Sequence, residues 1–81
     1  MVDRFDLVQP GWEIVGADDQ RIGDVGGVED AYLQTTKGML FPKDLFVPTE
    51  AVEEVDTFGE RVYLTVSRDE VDGMGWESPP R

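Results

Sequence analysis

At 81 residues the chain has room for one domain, which buries only roughly 60–65% of its unfolded surface. Two Trp, two Tyr and four Phe must therefore carry much of a small core. Eighteen acidic against seven basic residues give a net charge of −11, which repels a nucleic-acid duplex and an anionic membrane surface. Cysteine and histidine are absent, which excludes disulfides, thiolate chemistry, histidine-dependent catalytic sets and the zinc sites built on these residues.

The balance of 40% hydrophobic and 31% charged residues is that of a chain that folds. Residues 1–10, MVDRFDLVQP, form a lead-in that Phe5, Leu7 and Val8 can tack to the body. They hold no apolar run of signal-peptide length, and nothing later approaches the ~20 apolar residues that span a bilayer. A cytoplasmic protein without membrane insertion is expected. Pro10-Gly11 is a break. Trp12 and Ile14 then alternate with Glu13, and Val15 extends the run, as in a half-exposed strand. Ala17-Asp18-Asp19-Gln20 supplies the turn, because a short side-chain oxygen bonds the local backbone and tolerates positive φ.

The second strand passes through Ile22, Val25 and Val28. Its apolar spacing of three, with Gly26-Gly27 inside it, predicts a bulge that changes which face points inward. A third strand covers Ala31 to Thr35 and ends at Lys37-Gly38. Pro42 and Pro48 cannot donate to a ladder, so the apolar stretch from Met39 to Val52 is not one strand. It divides into a short strand at Met39–Phe41, a turn at Pro42–Asp44, a strand at Leu45–Val47 and one helical turn over Thr49–Val52. Glu53–Asp56 and Arg61–Val66 form a hairpin across Thr57-Phe58-Gly59-Glu60. Ser67 and Glu70 have the spacing of a capping box and open a helix from Arg68 to about Asp72, broken by Gly73 and Gly75. Trp76 follows, and residues 77–81 are expected to be a mobile tail.

Short strands with regularly spaced turns predict an all-β domain over residues 11–76, a small closed antiparallel β-barrel of five or six strands with a short C-terminal helix. Closure would also remove exposed sheet edges. GWEIVGADDQRIGDVGGV, Gly11 to Val28, resembles the opening of a PRC-barrel domain. KDLFVPTEAVEEV and RVYLTVSRDEVDGMGW resemble the second half of small uncharacterised bacterial proteins related to PRC barrels. Asp19 stands where that family usually has the turn glycine. The resemblance covers about Gly11 to Trp76. It implies a stand-alone barrel without catalytic apparatus, of a kind that serves elsewhere as a protein-binding or assembly module.

Asp18, Asp19 and Asp24 could be read as a cation site, but their spacing lacks the calcium-loop pattern and its distal bidentate Glu. A solvated turn is the better reading, and no metal or other cofactor is expected. Glu53, Glu54 and Asp56 could be read as a carboxylate pair for hydrolysis, yet no cleft is implied around them and an enzyme is not expected. Gly23, Gly26 and Gly27 lack the Lys and Ser/Thr of a phosphate loop and are corner glycines.

Trp12, Phe41, Phe46 and Trp76 are the candidate interface residues, against the simpler reading that a small domain buries its aromatics. Trp76 reads first as a lock for the terminal helix and second as a docking residue. The function expected is a non-enzymatic protein-interaction or assembly module that self-associates or binds a protein partner. A small-ligand or cation-binding barrel is the alternative.

Overall fold

The computed structural model describes residues 5–35 and 44–77. After a 3-10 turn at Phe5–Leu7, six strands follow: β1 (Glu13–Val15), β2 (Arg21–Val28), β3 (Tyr32–Thr35), β4 (Phe46–Pro48), β5 (Val52–Asp56) and β6 (Arg61–Leu64). A second 3-10 turn, Thr49–Ala51, separates β4 from β5, and helix α1 spans Arg68–Val71. The sequence places each of these strands within a residue or two. The strand expected at Met39–Phe41, the Lys37-Gly38 turn and most of the Pro42–Asp44 turn lie outside the described residues.

Local chemistry sets the boundaries. Gly11 takes a φ of +96° at the break before β1, and Asp19 takes +63° in the first turn, a left-handed conformation that glycine adopts freely and a short Asp side chain tolerates. The predicted bulge is present: the β2–β3 register slips between Val25 and Gly27, and a further slip in the β1–β2 ladder, where Val15 and Ile14 face Arg21 and Gly23, lets Ile22 and Val25 both be buried in the core. Pro48 ends β4 and Thr49 begins the 3-10 turn.

Two expectations are corrected. Among the described residues the sheet runs β4-β3-β2-β1-β6-β5 and does not close, because β4 and β5 are its two edges. Nor is it wholly antiparallel, since β1 and β6 pair in parallel, Glu13 opposite Arg61 and Val15 opposite Tyr63. One cause underlies both. The pairings give β4 and β5 the same direction, so the turn between them bends the chain without reversing it. A ladder joining them would be parallel and would need a crossover of about a dozen residues. Only Thr49–Ala51 intervene.

β6 is also shorter than the alternation of Arg61–Val66 suggests. The Thr65 N–H donates to the Ala51 carbonyl (2.8 Å) and the Val66 carbonyl accepts from Ala17 (2.8 Å), so these residues serve neighbouring turns instead of a ladder. Gly16 sits at that junction. A Cβ there would lie 2.7 Å from Asp18 Oδ1 and 2.8 Å from the Arg68 nitrogen, so only glycine lets the first turn approach the start of α1. Asp18 Oδ1 also accepts from the Arg68 N–H (3.3 Å), tying turn to helix.

The core gathers side chains from all six strands and α1. Ile14, Leu33, Val47, Val62 and Leu64 are fully buried, and Val71 from α1 joins them. Val8 anchors the lead-in while Leu7 remains half exposed. Val15, expected on a half-exposed strand, is buried. Thr35 is buried with its hydroxyl accepting from Leu45 N–H (3.0 Å). Among the described residues no helix is long and apolar enough to cross a membrane.

Glu70 caps α1 as its spacing predicts: one carboxylate oxygen accepts from the Ser67 N–H and the Ser67 hydroxyl, each at 3.0 Å. The Ser67 N–H, and after it the hydroxyl, hold the Glu70 carboxyl below its ordinary range. A depressed folded-state pKa contributes stability that is present above the unfolded value and is lost as pH falls through the folded one. Thermal melts of wild type and Glu70→Gln should therefore differ in favour of wild type near neutral pH. The gap should close on acidification below about pH 4. A gap unchanged by acid would show that the charge of this cap is idle.

Candidate functional site

The β5–β6 hairpin is built to present its turn. Asp56 Oδ1 accepts from the backbone N–H groups of Phe58 (3.1 Å) and Gly59 (3.0 Å), closing the loop with a side-chain oxygen. Glu60 takes a φ of +56° to return the chain to β6. The Glu60 carbonyl then accepts from the Glu13 N–H at 3.0 Å, which pins the tip to β1. On this fixed turn Phe58 is 100% exposed. The other exposed large apolar side chains among the described residues, Leu7 and Met74, are only about half exposed. A turn residue between two edge-side strands has no route to the core, and a fully solvated phenyl ring contributes nothing to folding.

Beside the tip, on the outer face of β2, β1 and β6, lies a shallow depression of about 370 Å³ lined by Glu13, Val15, Asp19, Arg21, Arg61 and Tyr63. Strand alternation explains it. Ile14 and Val62 point inward, so Glu13, Arg61 and Tyr63 point outward, and the parallel β1–β6 register sets Glu13 beside Arg61. The Glu13 carboxylate lies 3.1 Å from Arg61 Nε and 3.5 Å from Arg21 Nε. Arg21 Nη2 also donates to both Asp24 oxygens, at 2.9 and 3.0 Å. Tyr63, by hydrogen bond and charge, and then Glu13 hold the Arg61 guanidinium above its ordinary pKa. These pairs are largely solvated and contribute little to stability. Their effect is to hold two guanidinium planes in place beside a phenol ring, a surface suited to stacking against an aromatic group.

The residues singled out by sequence fall elsewhere. Trp12 and Trp76 are core side chains, 8% and 6% exposed. The Trp76 carbonyl accepts from the Phe46 N–H at 2.7 Å, so the segment after α1 is tied to β4. Phe46 is half buried and meets Tyr32 edge-on, ring centres 5.5 Å apart. Phe41 lies outside the described residues. Among the described residues no three acidic side chains converge on a common point. Asp18 serves Gln20 and Arg68, and Asp24 serves Arg21. Glu53 and Glu54 are exposed on β5, and Asp56 holds the turn. Phe58 itself was legible only as a turn residue. The available signal was its position: a large aromatic inside a four-residue turn between two alternating strands has nowhere to be buried.

The sequence pattern of DUF2171, described as an uncharacterised protein conserved in bacteria, matches residues 8–72. The chain belongs to this family. The matched span takes in all six strands, α1, the Phe58 tip and every residue lining the depression, and it ends four residues before Trp76. No curated protein and no solved structure matches the chain.

Proposed function

We propose that this DUF2171 domain is a non-enzymatic protein-interaction module that engages its partner through the Phe58 hairpin tip. The observation that carries the reading is a fully exposed phenylalanine on a turn locked by the Asp56 carboxylate. A preordered aromatic anchor binds without a large loss of side-chain and loop entropy, and aromatic residues dominate interface energetics. The absence of cysteine and histidine adds support, as does the use of the carboxylates in turns and ion pairs. Kinship with PRC-barrel domains rests on Gly11–Val28 and on the stretches after Lys43, including the bulged second strand and the Pro48 step. A reducing cytoplasm is the compartment that suits a cysteine-free chain.

Photo-cross-linking tests the reading. A benzoylphenylalanine placed at position 58 in producing cells should yield a protein adduct, while the same group at exposed position 30 should not. Equal or absent adducts at both positions would remove the tip from this role.

A further inference from the structure

Resting on that reading, we infer that the partner of the Phe58 tip is a different, basic protein whose apolar pocket is rimmed by lysine or arginine. The charge around the tip carries this. Arg21 and Arg61 stand near it, yet the Glu13 carboxylate lies within 3.5 Å of both and Asp24 meets Arg21 through both its oxygens. Their charge is neutralised where it arises. Arg68, the remaining cation among the described residues, opens α1, where its N–H meets Asp18. The hairpin itself adds Glu53, Glu54, Asp56 and Glu60. Asp56 closes the turn, whereas Glu53, Glu54 and Glu60 are exposed and serve no ion pair or hydrogen-bonded turn among the described residues. Glu60 even holds a φ of +56°, where glycine or asparagine would sit more easily. The phenyl ring thus projects from a negative surface on a chain of net charge −11.

That setting selects the occupant. A ring entering an apolar pocket carries these carboxylates against the rim of the pocket, where like charge costs binding and cations favour it. The aromatic anchor supplies affinity, while the flanking charges set the encounter rate and the choice of partner. Because Asp56 fixes the turn, ring and charges keep one spatial relation before binding, which limits the entropy lost on docking. A second copy presents the same acidic surface, and its arginines near the tip are already matched, so it offers no cationic rim among the described residues. An anionic membrane or a nucleic acid is repelled for the same reason.

The test uses the full chain with benzoylphenylalanine at position 58 in producing cells, the adduct being identified by mass spectrometry. A different protein, joined within an apolar pocket rimmed by lysine or arginine, is expected. Glu54→Gln combined with Glu60→Gln removes two exposed charges from the hairpin and keeps side-chain size, and should lower the adduct yield at least about threefold. Glu29→Gln combined with Asp30→Asn removes the same charge from the exposed turn between β2 and β3 and should leave the yield unchanged. Both double variants should keep the circular dichroism and melting temperature of wild type, which separates lost binding from lost fold. In cell extract, raising the salt from about 0.1 to about 1 M shortens the Debye length from about 10 to about 3 Å and should lower the wild-type yield by a similar factor. An adduct between two copies of this chain, an adduct in an acidic or neutral pocket, equal losses in the two double variants, or a yield indifferent to hairpin charge or salt would each overturn the inference and leave the interaction module standing. Absence of any specific adduct at position 58 would overturn both.

Discussion

Trp76→Ala should destabilise the domain by about 3–5 kcal/mol, the range for truncating a buried tryptophan. For a chain of this size the whole stability is of order 0.05–0.15 kcal/mol per residue, so the variant should be close to unfolding at room temperature. Trp76 is 6% exposed and belongs to the same buried cluster as Trp12, Leu45 and Val71. Its backbone also matters, because its carbonyl receives the Phe46 N–H at the outer end of the sheet. Removing the indole leaves a large void and releases the segment that ties α1 to β4. Urea unfolding of wild type and variant gives the measurement, read as a shift in midpoint at constant slope. A loss below about 1 kcal/mol, typical of a surface change, would show that the tryptophan is not the lock of the terminal helix.

Ile14→Ala should lower stability by about 2–5 kcal/mol, and in the upper half of that range. Ile14 is fully buried at the middle of β1, the strand flanked by antiparallel β2 and parallel β6. Its partner across β2 is Gly23, which has no side chain to move into the space, and its partner across β6 is Val62, itself fully buried. The site therefore collapses poorly, and the penalty grows with the void that remains. Ile14→Val removes one methyl group and should lose only about 0.5–1.5 kcal/mol. Equilibrium unfolding of the pair should give this graded order. Equal losses for both variants would mean that the terminal δ-methyl group, which both lack, carries the whole effect and that the further volume removed in alanine is recovered by collapse.

Both effects exceed anything expected at the Phe58 tip, where truncation should leave stability within about 0.5 kcal/mol of wild type. Residues that hold the fold and the residue proposed to bind are thus separate. Aromatic content alone did not distinguish them. Trp12 and Trp76 have the size and polarity of interface anchors and are core residues here, whereas Phe58, in a turn, is fully solvated.

Most strand boundaries were legible because the rules that set them act over a few residues. Asp19 can adopt positive φ in a tight turn, Gly26-Gly27 permits a bulge, Pro48 lacks the N–H that would continue β4, and Ser67 with Glu70 opens a helix. None of these depends on where the rest of the chain lies. The parallel β1–β6 ladder does, since it joins Glu13 to Arg61 across almost fifty positions and follows from a turn at Thr49–Ala51 that bends without reversing. That register brings Glu13, Arg61 and Tyr63 around one depression, to which the β1–β2 pairing adds Arg21, and it leaves β4 and β5 at the two ends of the described sheet. By itself the sequence determined an all-β domain, the order and punctuation of its strands, and the lack of histidine and cysteine chemistry. Only the tertiary structure decided which aromatics are buried, which charges meet and whether the sheet closes, because these depend on long-range pairing that no local pattern encodes.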